Sequence, residues 1–172
     1  APTIERTDQR ECANVQDRTA DRSVAMNEDQ ILIRDFQHKR IAHAPLTSSR
    51  LAQTLRGHIS AIDPDNNWIE LSYEPDDFFF QAEKIIQGGA TATMLDFAMA
   101  FAALASIPDG QSVTTVNLNI AYLRAAKAGK LRAIGEIERR GRSLIFTRAR
   151  LMQDDVVVAT ATSTLSVILQ RS

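Results

Sequence analysis

Residues 87–102, QGGATATMLDFAMAFA, set two adjacent glycines ahead of an apolar helical pattern and plant one acid, Asp96, inside it. Its helical neighbours three, four and seven positions away are Ala92, Thr93, Met99, Ala100 and Ala103. The carboxylate therefore sits on or beside the stripe that a helix buries. A charge in that position costs several kcal/mol unless it is partnered or neutralised, so a chain that keeps one has hydrogen-bond partners for it or a chemical use. The plainer reading, a solvated or locally bonded helix residue, stays open on spacing alone.

Working outward, the helix is expected over residues 89–107, stopping before the PDG breaker. Upstream, strands are expected over 51–62 and 68–73, joined by the turn-rich DPDNN segment. Between them and the helix, PDDFFFQAEKIIQ reads as an irregular loop whose run Phe78, Phe79, Phe80 needs cover from the core or a subunit contact. Downstream come four strands, over 112–124, 130–140, 143–152 and 156–169. The first alternates, with Val116, Leu118, Ile120 and Tyr122 on one face and Thr115, Asn117 and Asn119 on the other. Short connections, Gly141 in one and Asp154–Asp155 in another, make these strands antiparallel neighbours. The class is α+β: one long helix against a curved antiparallel sheet of six strands.

The flanks add less. Residues 1–27 interleave arginines with acids and carry few large apolar groups, as in a flexible tail; the acids argue against a mitochondrial presequence. Residues 28–41 allow an extra N-terminal amphipathic helix, so 28–172 form one domain. At 172 residues, 44% of them hydrophobic, there is material for one real core and not for two. The 20 basic and 21 acidic residues leave no electrostatic footprint for nucleic acid or an anionic membrane. A single cysteine, Cys12, can form no internal bridge and lies in a polar stretch without an evident base, which fits a reducing, cytoplasmic setting. The N-terminal stretch holds no apolar run of signal-peptide length, and no segment approaches the roughly 18 consecutive apolar residues of a membrane span. His38, His43 and His58 have no metal-ligand spacing with acids or cysteine, so no metal is assigned, and neither a phosphate-binding glycine loop nor a serine nucleophile elbow is present.

The order of elements and the strings QGGATATMLDFAMAFA and VNLNIAYLRAAKAGKL resemble the hotdog-fold acyl-CoA thioesterases, in the branch linked to phenylacetic acid degradation. That branch opens its helix with His-Gly-Gly, carries an acid nine residues after the histidine, and follows with a strand reading roughly Asn-Ile-x-Tyr. Gly88 and Gly89 match the glycines, Asp96 lies nine after Gln87, and Asn119, Ile120 and Tyr122 match the strand. The chain departs from the pattern at Gln87, which keeps a donor and an acceptor but cannot become a cation.

The resemblance implies hydrolysis of an acyl or aryl thioester of coenzyme A, with no cofactor beyond the substrate's own coenzyme A. It implies Gly88 as the oxyanion donor at the helix start and Asp96 as general base or nucleophile. Gln81, Gln87 and Thr115 would position the carbonyl and water. Gly89, Asn119 and the RRGRS arginines Arg139, Arg140 and Arg142 would contact substrate, the arginines suiting phosphates. It also implies a homodimer with the acid and the glycines of one site on opposite subunits, and a homotetramer as a further assembly. Two other readings remain open: a non-catalytic acyl-CoA binding protein, suggested by Gln87, and a hotdog enoyl-CoA hydratase, disfavoured because no histidine follows His58.

Overall fold

The computed structural model describes residues 26–169. The chain runs α1 (Glu28–Gln37), β1 (Ala44–Pro45), α2 (Arg50–Thr54), β2 (His58–Asp63), β3 (Trp68–Tyr73), two short 3-10 turns, α3 (Gly88–Ser106), then β4 (Gln111–Tyr122), β5 (Leu131–Arg140), β6 (Leu144–Gln153) and β7 (Val156–Leu169). All strands join one antiparallel sheet in the order β1-β2-β3-β5-β6-β7-β4. There are seven strands where six were expected, the addition being the two-residue β1.

The sheet curls around α3, which buries Met94, Leu95, Ala98, Met99, Phe101 and Ala102 against Leu71, Ala133, Leu151 and Leu165. By length and hydropathy α3 would pass for a membrane span, yet its apolar faces are taken up by the sheet. The closest approach is at Gly135 in β5: a Cβ there would stand 2.1 Å from the Ala98 carbonyl oxygen. Glycine is required because backbone, not a yielding side chain, occupies the space.

α1 closes the far end of α3. Arg34 donates from Nη1 to the Ala105 carbonyl and from Nη2 to that of Ile107, both at 2.9 Å. Buried Gln30 donates to the Pro108 carbonyl at 3.1 Å and accepts from the Gly110 amide at 3.3 Å. The Arg34 bonds satisfy carbonyls that a helix C-terminus leaves without intrahelical partners, and the guanidinium complements the negative end of the dipole.

Three expectations change. The tail over 1–27 lies outside the described residues up to residue 25, and Asn27 belongs to the fold, its side chain accepting from the Gln30 amide at 2.7 Å as the cap of α1. α1 ends at Gln37 rather than 41 because Lys39 adopts φ 55°, and the amides of His38 and Arg40 fold back on the carbonyls of Arg34 and Asp35. Residues 51–54 form helix α2, not strand: Ser49 caps it by accepting from the Ala52 amide, and Leu51 and Leu55 follow helical spacing, with only Leu55 buried.

Gly135→Ala should lose about 1 to 3 kcal/mol through overpacking against α3. Urea denaturation with an unchanged midpoint would show that helix and sheet do not meet there.

Candidate active site

The segment entering α3 is pinned from both sides. The Ile86 amide donates to the Ala126 carbonyl at 2.8 Å, the Ala128 amide to that of Lys84 at 2.9 Å, and Ile85 bridges Lys127. Lys127 is itself clamped by Gln153, whose Oε1 accepts from its amide at 2.9 Å while Nε2 donates to its carbonyl at 2.8 Å. Gln87 donates its amide to the Phe79 carbonyl at 2.9 Å and holds φ −59°, ψ 142°, with its side chain free of any capping bond. Gly88 then opens the helix. Its carbonyl accepts from the Tyr122 hydroxyl at 2.9 Å, and a Cβ on it would meet the Tyr122 ring at 3.4 Å. The first amides of a helix have no intrahelical acceptor, so the exposed Gly88 N–H is available at the positive end of the dipole.

Asp96 lies half-buried on the side of α3 facing β4, where Thr115 Oγ1 donates to its Oδ1 at 3.0 Å. The sequence alternation put Thr115 on the opposite face from Leu118, Ile120 and Tyr122. A β-bulge changes this: pairing with β7 steps from Thr115↔Leu165 to Asn117↔Thr164, leaving Val116 extra. Thr115 is thereby turned towards the helix along with those residues. Burial raises the Asp96 pKa above its ordinary value, and the Thr115 bond opposes that rise. Beneath, the fully buried Tyr73 hydroxyl donates to the Met94 carbonyl at 3.4 Å; burial, with the Asp96 charge second, keeps it un-ionised.

Gln81, Gln87, Gly88 and Gly89 share the exposed loop and first turn at one end of α3, while Asp96 and Thr115 sit together further along. Eight residues of helix separate Gly88 from Asp96, about 12 Å along the axis. Asn119 does not join either group: it alternates with the core-packed Leu118 and Ile120 and lines an open groove of 580 Å³ on the outer sheet face with Arg148, Arg150 and Thr162. The arginine turn is also apart, since Arg140 donates to the Ser106 carbonyl at the opposite end of α3 and Arg139 and Arg142 are exposed beside it. Of the phenylalanine run, Phe79 is buried and Phe78 is 76% exposed, stacked edge-on against Phe79. Two residues escaped the sequence reading: Gln153, which no local pattern connects to Lys127, and Tyr122, present in the strand motif but given no role. Among the described residues no group of three metal-ligating side chains is found.

Comparison with known proteins fits this geometry. The thioesterase superfamily model matches residues 83–160, which includes the pinned loop, α3 and its facing strands. A phenylacetic acid degradation-related protein from Ralstonia eutropha JMP134 is 35% identical, with a TM-score of 0.70 over 78% of this chain and 98% of its own. A Haemophilus influenzae thioesterase, 23% identical, superposes with a TM-score of 0.66 over 71% of this chain and 85% of its own. The E. coli PaaI protein from the phenylacetic acid degradation operon, 16% identical, does so at 0.65 over 84% and 96%. No curated protein matches by sequence. The chain belongs to the thioesterase superfamily, with its hotdog fold, and is a thioester hydrolase.

A ¹³C titration of the Asp96 carboxyl should give a midpoint above 3.8, and Thr115→Val should move it higher by removing a bond that favours the ionised form. The linked stability has a fixed sign. A raised folded pKa favours the protonated fold, so stability is lost as pH rises through that value, and Asp96→Asn should stabilise the protein above it. A wild-type midpoint at or below 3.8 contradicts the assignment.

Proposed function

We propose that the protein hydrolyses acyl-CoA or aryl-CoA thioesters to a carboxylic acid and free coenzyme A, as a homodimer in which Gly88 of one protomer and Asp96 of the other meet at one carbonyl. The observation that carries this is the spacing along α3. At about 12 Å, a hydrogen-bond donor and a carboxylate on the same helix cannot both touch one reacting carbon. A two-fold partner running the other way brings each acid to the other chain's glycine.

In this arrangement the Gly88 amide receives the developing oxyanion, aided by the helix dipole. Ionised Asp96 takes a proton from water as that water attacks, the new C–O bond replaces the C–S bond and the proton passes to the departing thiolate; or Asp96 attacks the carbonyl itself, the thiolate leaves and is protonated by water, and a second water cleaves the resulting anhydride to free the acid and restore Asp96. Thr115 holds the carboxylate. Gln81 and Gln87 hold the carbonyl and water by their amides, and Gln87, never cationic, leaves proton transfer to Asp96. Gly89 lets substrate approach the first turn. Water and a carboxylate suffice for this chemistry, coenzyme A entering only as part of the substrate.

The edges of the sheet support the dimer. One edge is β1, two residues long and containing Pro45, which blunts pairing. The other is β4, twelve residues with Val116 and Tyr122 exposed and Leu123 exposed just beyond. Pairing β4 with its two-fold copy covers that edge. Exposed Phe78 supplies either a wall for the acyl group or the contact of a tetramer. A cytoplasmic location, consistent with a chain holding one cysteine, completes the proposal.

A thiol-release assay over a panel of acyl- and aryl-CoA esters tests this directly. Asp96→Asn should lower kcat at least about a hundredfold without loss of stability. Gly88→Pro should do the same, by about a hundredfold or more, because it deletes the donor N–H at a helix position that accepts proline, behind a Gln87 backbone already extended. Tight acyl-CoA binding without turnover in the wild type would instead favour the non-catalytic reading.

A further inference from the structure

Three cations run beside the glycine end of α3. Lys84 lies four residues before Gly88, Lys127 faces Ile85 across an isolated bridge, and Arg124 stands two residues past Tyr122, whose hydroxyl bonds the Gly88 carbonyl. All three are exposed, and none makes an ion pair among the described residues. The strip is held in place. Gln153 clamps the Lys127 backbone, Arg124 Nη1 donates to the Val157 carbonyl at 3.3 Å, and the Lys84 carbonyl accepts from Ala128. Glu83 and Lys84 also hold φ 60° and 58°, consecutive left-handed residues without a glycine, each costing on the order of 1 kcal/mol. Strain of that kind gathers where a backbone is held for a purpose.

We propose that Lys84, Arg124 and Lys127 bind the phosphate groups of the substrate's nucleotide tail. This rests on the acyl-CoA reading above and assigns the tail a place other than the RRGRS turn that the resemblance implies. Measured from the glycine, reach favours the strip. The arm of coenzyme A between sulfur and diphosphate has roughly a dozen bonds, the length of about four extended residues, or about 14 Å. Arg140 touches Ser106, eighteen residues of helix beyond Gly88 and so about 27 Å away in the same chain, but ten beyond Asp96, about 15 Å, so that in the two-chain site the turn on the acid's chain is also within reach. Lys84, four residues from Gly88, lies within about 14 Å of chain.

The local charge agrees. Glu83 adjoins Lys84 and Asp154 adjoins Gln153, but Asp155 is already paired with Arg132 at 2.6 Å, so three cations face two acids. Lys130 is left out because it lines a cavity with Glu74, Asp154 and Asp155. Lysine and arginine in such a strip are ordinary phosphate partners, and the attraction falls with added salt.

The test compares wild type with a Lys84→Gln, Lys127→Gln double variant, shown to be folded by circular dichroism. Adenosine 3′,5′-bisphosphate binding is measured by calorimetry, and KM is measured for an acyl-CoA and for the matching acyl-pantetheine, which lacks the nucleotide phosphates. The bisphosphate Kd and the ratio of the two KM values should both rise about tenfold or more. If neither moves while both thioesters are hydrolysed, the strip is refuted and the thioesterase reading stands. If the wild type hydrolyses neither thioester yet binds the bisphosphate through these lysines, the hydrolysis is refuted and the phosphate site stands. A rise produced only by Arg139→Gln with Arg142→Gln overturns the proposal in favour of the turn.

Discussion

The Ala98 carbonyl occupies the space that a side chain at Gly135 would fill, and that contact seats α3 against the centre of the sheet. Once the helix is seated, its two ends are bound by different parts of the chain. Arg34 donates to the carbonyls at the end of the helix and Gln30 holds the loop just after it, while Tyr122 bonds the first turn and the Gln153–Lys127 clamp braces the loop that leads into it. Fixed at both ends and in the middle, the helix can present Asp96 to Thr115 and Gly88 to the outside with little freedom in either.

The site is costly to the fold in the way active sites commonly are. A half-buried carboxylate with one protein donor is less stable ionised than it would be in water, and its raised pKa records that cost. Thr115 lowers the cost without removing it, and only because a bulge at Val116 turns the hydroxyl inward. The glycine end is exposed, as its proposed role requires: an amide that is to meet a substrate oxygen cannot already be satisfied by protein. Both features are open on a single chain, and in the proposed dimer they would become one cleft when a second copy covers the β4 edge.

Much of this was legible in the sequence. The helix and the four strands after it have short-range periodicity, and Asp96 stands out against the apolar pattern without knowledge of the fold. What escaped was of two kinds. Leu51 and Leu55 support either strand or helix until the Ser49 cap decides, and one extra residue at Val116 reverses an alternation that reads as unbroken. The remaining contacts join residues distant in the chain: Arg34 with Ala105, Gln153 with Lys127, Arg140 with Ser106. No local signal predicts them, so the resemblance could point to the arginine turn as a phosphate site without revealing that it lies at the opposite end of the helix from Gly88.

The central claim is that each site takes its donor from one chain and its acid from the other. Asp96→Asn and Gly88→Pro homodimers each lack one half of both sites, but a heterodimer of the two has one site with both halves intact. After refolding an equimolar mixture, with heterodimers verified by mass spectrometry, activity should return to about a quarter of wild type, since half of the dimers are mixed and half of their sites are whole. Heterodimers that form and remain as inactive as their parents would contradict the account.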